Sequence, residues 1–299
     1  MAQATAQQRN RSTPIIREVP GAVLSQPTPA APFIVNIPLF TWAQLLVYFT
    51  IAGVAATRAQ MAAQVASVRV VLSGREIWIG TGAQLLSLAA FYAQTDSAAN
   101  YPGFLPINFL RSWSADKVDG EAAILGTKDQ SNLQIEITMS AGATINGATL
   151  YGARLQEPEE TGITTRVVRV SPNIGSVGLS VYPDLPAPRD GDQLLAIHVF
   201  PPVVANLTRL GYVRDEVRII DDLPAVLDRI AVDSGQPRTP QGANGMVSID
   251  FTALTGNPGD GVDMSRVGSH QLELTFANAA PGTFAILLEY ASPISRGIQ

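Results

Sequence analysis

The chain has 299 residues, of which 46% are hydrophobic and only 15% charged, with a net charge of -5 and no cysteine. That length supports one large or two ordinary domains, each able to bury well over half of its unfolded surface. Disulfides and thiolate metal sites are excluded, the two histidines His198 and His270 are too few for a structural zinc site, and the acidic balance argues against nucleic acid as the main partner. So little charge leaves much of the surface to be covered by neighbouring subunits, as in an assembling protein. All cationic residues except Lys117 and Lys128 are arginines, a skew that suits interfaces and that GC-rich coding explains equally well.

Residues 1–31 are rich in Gln, Ala, Thr and Pro and lack the uninterrupted apolar core of a signal peptide. They read as an N-terminal arm that a neighbouring subunit would hold; Arg9, Arg11 and Arg17 offer a second reading, contact with an anionic lipid surface. Strand signals begin with Phe33 to Leu39 and continue through Gln44 to Ala52, Val68 to Leu72 and Glu76 to Ile79. The most apolar stretch, Leu45 to Ala56, falls short of the ~20 residues that span a bilayer. Thr57 to Val65 and Ala83 to Tyr92 have helical character, the first with a Thr57 cap. Short strands at Asn108 to Trp113 and Ala122 to Gly126 and a hairpin over 133–155 close the first half.

Pro158, set among Glu157, Glu159 and Glu160, marks a linker over 157–162. Beyond it, strands are expected at Arg166 to Val170, Gly178 to Tyr182, Gln193 to Phe200, Val217 to Ile220, Met246 to Phe251, Gln271 to Phe276 and Thr283 to Tyr290. One helix, Leu223 to Ile230, interrupts them, with Asp221 or Asp222 as its cap and Pro224 near its first turn. Many short strands with few helices, arranged twice, imply an all-β fold, two tandem β sandwiches or jelly rolls over 32–156 and 163–299 with a few short helices in loops.

An internal echo supports the duplication. Gln134-Ile135-Glu136-Ile137-Thr138 returns 137 positions later as Gln271-Leu272-Glu273-Leu274-Thr275, and each copy alternates so that one face alone covers a core. A second echo pairs Gln44-Leu45-Leu46 with Gln193-Leu194-Leu195.

No catalytic set emerges. The stretch from Gly120 to Lys128 misses a phosphate loop by spacing and has Thr127 where the lysine belongs, and Gly80-Thr81-Gly82 lacks a third glycine and reads as a tight turn. His198, mid-strand, is expected to be a satisfied structural histidine, and His270, ahead of a strand, to be exposed. Asp221, Asp222 and Asp228 lack a nucleophile or partner acid and read as helix cap and solvated face. Asn257, Asp260 and Asp263 have oxygen ligands at a spacing suited to calcium, with a plain polar turn as the competing reading. No cofactor is otherwise implied.

Tandem jelly rolls, an arm and no catalytic set together resemble the corticovirus-type double-jelly-roll major coat proteins of lipid-containing icosahedral phages. The likeness lies in Val68-Arg69-Val70-Val71-Leu72-Ser73-Gly74-Arg75, in Leu185-Pro186-Ala187-Pro188 followed by Leu195-Ala196-Ile197-His198-Val199, and in Leu272-Glu273-Leu274 with Ile286-Leu287-Leu288-Glu289-Tyr290. The loops at Gly235 to Asn244 and Gly256 to Gly268 depart from it. The resemblance implies a structural protein of the virion capsid, assembled in the host cytoplasm, whose two rolls make a homotrimer pseudo-hexagonal and able to tile a shell over an internal membrane. It implies as partners the chain itself, neighbouring trimers, vertex and membrane-associated virion proteins and the internal lipid membrane, with no specific nucleic acid. The competing reading is a carbohydrate-binding or spike-like β-sandwich protein, which would need Trp42, Trp78 and Trp113 exposed as an aromatic rim.

Overall fold

The computed structural model describes residues 32–92, 101–109, 124–154, 162–174, 177–183, 185–186, 188, 191–233, 245–253, 260–265, 267–278 and 282–293, and the backbone of 15–25. The first half contains β1 (Ile15–Ser25), β2 (Phe33–Ile37), β3 (Trp42–Ile51), β4 (Val54–Ala55), α1 (Arg58–Gln64), β5 (Val65–Leu72), β6 (Arg75–Gly80), α2 (Gly82–Phe91), β7 (Phe104–Asn108), β8 (Leu133–Met139) and β9 (Gly147–Arg154). The second contains β10 (Ile163–Val170), β11 (Asn173–Ile174), β12 (Gly178–Tyr182), β13 (Gln193–Phe200), a 3-10 turn at Val204–Asn206, β14 (Leu207–Arg214), β15 (Val217–Asp222), α3 (Pro224–Asp233), β16 (Val247–Asp250), β17 (Val262–Asp263), β18 (His270–Phe276), β19 (Gly282–Thr283) and β20 (Ala285–Pro293).

Among the described residues all strand pairs are antiparallel, and the two halves share the wiring of their main strands, while β4, β17 and the small β11-β19 sheet have no counterpart in the other half. In the first, β1-β9-β3 forms a sheet with β7 and β4 on the far edge of β3, facing a second sheet ordered β2-β8-β5-β6. In the second, β10-β20-β13 carries β16 and β17 on the far edge of β13, and the other sheet is ordered β12-β18-β14-β15. Each half is thus a jelly roll with its own apolar filling, Leu45, Val47, Val70 and Ile135 among the residues of one core and Ile197, Leu210, Leu272 and Leu288 among those of the other.

The echoed sequences occupy matching slots. β8 lies between β2 and β5 as β18 lies between β12 and β14, and their alternation is read out as alternating burial, with Ile135 and Ile137, or Leu272 and Leu274, turned to the core. The second echo lies on β3 and β13, also equivalent. The repetition extends to detail that sequence comparison does not reveal. The hairpins β5-β6 and β14-β15 both bulge, at Val70/Val71 and at Tyr212/Val213. Both turn through two residues of positive φ, Ser73 (48°) and Gly74 (77°) against Asp215 (47°) and Glu216 (66°), as two-residue hairpin loops require. Both turns are also tied to the residue before the echo strand: Ser73 N–H donates to Asn132 O at 2.9 Å and Asp215 N–H to Ser269 O at 3.0 Å. Glu216 adopts the left-handed conformation without glycine's freedom. Next to it, the Asp215 carboxylate accepts the Gly268 and Ser269 N–H groups, which hold its pKa below the usual range.

The structure departs from expectation in five places. β1 lies inside the expected arm and pairs with the chain's own β9, from Ile15 opposite Arg154 to Ser25 opposite Gly147, while residues 1–14 and 26–31 of that arm lie outside the described residues. β14 was not anticipated, because a bulge between Leu207 and Arg209 and the mid-strand Gly211 break the alternation that marks a strand. A strand not expected there runs from Phe104 to Asn108, whereas residues 110–113 of the strand expected at Asn108 to Trp113 lie outside the described residues; of the stretch Ala122 to Gly126 only 124–126 are described, Leu125 bridging Trp42 through N–H···O bonds of 2.8 and 3.1 Å. Asp221 and Asp222 end β15 and do not cap α3, because two arginines, Arg209 and Arg218, hold Asp221 on the sheet face. Finally, His270 is buried on β18, its Nε2 3.0 Å from Pro186 O and its ring edge-on to Tyr212.

Both first-roll helices begin with a Thr, and Thr57 with Gln60 and Thr81 with Gln84 form reciprocal capping boxes. Gly82, first residue of α2, sits where a Cβ would collide with the Met61 carbonyl oxygen and approach Val65 Cβ at 2.9 Å. Gly82→Ala is therefore expected to lower stability by about 1–3 kcal/mol despite alanine's better helix propensity, measured by urea denaturation; a neutral or stabilising effect would refute the close contact. Burial lowers the His270 pKa, against the opposing effects of Pro186 O and Asp215. The neutral ring contributes its full stability above the ordinary imidazole value near 6.5, and this contribution is lost as pH falls toward the lowered folded-state value. His270→Gln should thus show a shallower loss of stability below about pH 6.5 than the parent chain, and an unchanged slope would show that this ring is not its source.

Candidate functional site

The sequence points to assembly, so the candidate sites are faces. β13 and β20 differ from β8 and β18 in lacking alternation: Leu194-Leu195-Ala196-Ile197-His198-Val199 and Ala285-Ile286-Leu287-Leu288-Glu289-Tyr290 are buried throughout. A strand reads this way when both faces of its sheet are covered. One face of β10-β20-β13-β16 closes the second core; the other meets the first roll, where Val167, Leu287 and Met246 join the first roll's cluster and Phe200 packs against it. α2 lies in this seam with eight of its ten residues buried, the pattern of a helix covered on all sides.

Polar groups in the seam are matched. Tyr92, at the end of α2, donates its hydroxyl to Glu289 Oε2 at 2.5 Å, and His198 Nε2 lies 3.4 Å from both Tyr92 Oη and that carboxylate oxygen. His198 Nδ1 is 2.7 Å from Ser248 Oγ, and Phe91 and Tyr92 meet the imidazole edge to face. His198 is thus the buried, satisfied histidine its mid-strand position implied. A buried carboxylate between two apolar layers is tolerated only in the one register that brings its donors to it, so the network orients one roll on the other. Trp78 adds a second tie, its Nε1–H donating to Thr165 O at 2.9 Å. The void left beside it, about 20 Å³, has room for a water molecule and nothing larger.

Inside the second roll, Arg166 is buried with Asp192, donates from Nε to Ser292 Oγ at 3.0 Å and stacks 4.7 Å from the Tyr290 ring. Burial raises the Tyr290 pKa and keeps the phenol neutral. On the outward faces of the β8 and β18 sheets the echoed glutamates carry matching ion pairs. Arg69 bridges Glu76 and Glu136 at 2.6 and 2.5 Å, while Arg218 bridges Asp221 and Glu273 at 2.9 and 2.6 Å. Both clusters are solvated, which limits each pair to about 0–1 kcal/mol, and a shallow groove of about 250 Å³ beside Arg209, Arg218, Asp221 and Glu273 is charge-compensated.

The other residues singled out by sequence are dispersed. Asn257 lies outside the described residues, Asp260 is exposed, and the Asp263 carboxylate on β17 accepts the Ser265 N–H at 2.9 Å; among the described residues no group of three or more metal-ligating side chains converges. Asp228 lies on α3. Thr81 caps α2, so Gly80-Thr81-Gly82 is a turn, and the Thr127 hydroxyl donates to Phe40 O at 2.7 Å. Trp42 and Trp78 are buried in the first roll, which removes them from any exposed aromatic rim; Trp113 lies outside the described residues. Among the described residues no helix is long and apolar enough to cross a membrane.

This architecture is found in known proteins. The chain aligns with 96% coverage, a TM-score of 0.76 and 18% identity to 99% of the major capsid protein P2 from bacteriophage PM2. A chain of the Sulfolobus Turreted Icosahedral Virus matches with a TM-score of 0.67 at 11% identity, over 94% of this chain and 91% of that one. The PBCV-1 virus capsid matches at 0.63 and 10%, over 96% and 95%. At such identities the likeness is one of fold. No curated protein sequence matches the chain. The family models are more specific: the viral coat protein P2 N-terminal domain matches residues 42–153 and the C-terminal domain residues 164–294. With both domains present in order over most of its length, the chain belongs to the viral coat protein P2 family, and its role is that of a structural coat protein rather than an enzyme.

Proposed function

We propose that this coat protein is the repeating unit of an icosahedral shell, built as a homotrimer whose six rolls give a pseudo-hexagonal outline and whose flat facets lie over an internal membrane. The observation that carries this reading is the shared wiring of the two rolls, down to equivalent bulges and turns, joined by a seam buried in the chain. Two near-equivalent units in a rigid pair let threefold symmetry imitate sixfold symmetry, which is what hexagonal tiling needs. Neighbouring trimers, vertex proteins and membrane-associated proteins are the partners of this reading, and the host cytoplasm is its place of assembly.

The purified chain should sediment at about three times its 31.7 kDa mass, and electron microscopy of its assemblies should show shells; a stable monomer that never forms shells would overturn the reading. The seam should matter to the building block itself. Tyr92→Phe leaves Glu289 short of a donor in a buried site and is expected to cost about 1–3 kcal/mol in chemical denaturation, with no change in the trimer's mass. A cost near zero would show that the seam network is dispensable.

A further inference from the structure

The seam inside one chain has a template character, because each side of it recurs in the other roll. On the first-roll side stands α2, between β6 and β7; its counterpart by position in the wiring is α3, between β15 and β16. α3 buries Leu227 in the second core and Ala231 in the cluster that crosses the seam. Leu223, the residue before α3, and Val226 and Ile230 on the helix are 55%, 39% and 46% exposed and form an outward stripe, with Val217 and Ile219 on neighbouring β15 exposed as well. Their spacing of four residues places Val226 and Ile230 on one helix face, with Leu223 at the N-terminal end of that face. On the second-roll side of the seam is the outer face of β10-β20-β13-β16; its counterpart is the outer face of β9-β3-β7. There Leu46, Tyr48, Phe104 and Tyr151 are half-buried, with ring centroids 4.7 Å apart for Tyr48 and Phe104 and 6.2 Å for Phe104 and Tyr151. The outward positions of β3 and β7 carry no charged residue.

We infer that these two apolar surfaces bind each other between chains: the Leu223, Val226 and Ile230 stripe of one copy docks on the Tyr48, Phe104 and Tyr151 face of the next, repeating between subunits the contact that α2 makes within one. The occupant is a second copy because the chain already joins equivalent elements in this way. The contact is head to tail, one surface meeting a different one, so it propagates round a ring and closes when the rotation allows. The inference rests on the homotrimer reading and adds the surfaces that hold the trimer together.

The absence of cysteine makes the test clean. Ile230→Cys and Tyr48→Cys variants, each alone and combined in one chain, are treated with a short bis-maleimide after assembly. The double variant should yield covalent dimers and trimers, and a mixture of the two single variants covalent dimers, with neither single variant cross-linking by itself. Cross-linking of Ile230→Cys alone would reveal a symmetric helix-to-helix contact and overturn the inference. Absence of cross-links in a preparation with trimer mass would overturn it while leaving the homotrimer reading intact, whereas a monomeric parent chain would overturn both. In a second measurement, the variant Val226→Glu with Ile230→Glu should weaken the oligomer at least about tenfold with an unchanged monomer melt, since burying an unpaired charge is costly only at the interface. A trimer as tight as the parent's would count against the stripe.

Discussion

The structure depends on one sheet being buried on both faces. β10-β20-β13-β16 closes the second roll's core with Ile197, Val199 and Leu288 and, through its reverse side, receives α2 and the first roll. Without that second covering, Leu287, Phe200 and Met246 would be an apolar patch of the kind soluble chains do not leave open. The first core cluster therefore does not end at the first roll but runs across the seam, and the two rolls behave as one body. The buried Tyr92, His198, Glu289 and Ser248 network supplies direction where apolar packing supplies only attraction.

The duplicated wiring gives this seam its meaning. Two rolls of the same topology, placed side by side by one kind of contact, present at their free ends the two halves of that contact again. The equivalence is tight enough to be read residue by residue around β5-β6 and β14-β15, yet relaxed on the surface. Arg69 pairs directly across to Glu136, whereas Gly211 stands at the matching register position opposite Glu273 and Arg218 reaches across from the next strand. Function in such a protein lies in faces, and the seam and its unpaired counterparts are the faces that the chain's own geometry distinguishes.

Much of this was legible in the sequence, for physical reasons. β8 and β18 alternate because only one side of their sheet is covered, so the echo, the strands and the orientation of Ile135 and Leu272 could all be read. The first helix start was visible through Thr57, whereas Thr81, read as part of a tight turn, turned out to cap the second helix. β14 was hidden by a bulge and a glycine, and β1 by prolines that suit an edge strand as well as a free arm. His270 and the seam eluded the sequence because burial there is set by long-range contacts: Pro186 in one case, Phe91 and Tyr92 meeting His198 and Glu289 in the other. The unbroken apolar runs of β13 and β20 were the one available signal that a second layer had to exist.

Native-state hydrogen exchange under EX2 conditions tests the central claim, that the doubly covered sheet makes the two rolls one cooperative unit. Amides of α2, β13 and β20 should exchange only through global unfolding, with the same free energy in all three and the same denaturant dependence. If α2 instead exchanged through a smaller opening that left both rolls protected, the seam would be a surface contact and not the interaction on which the fold depends.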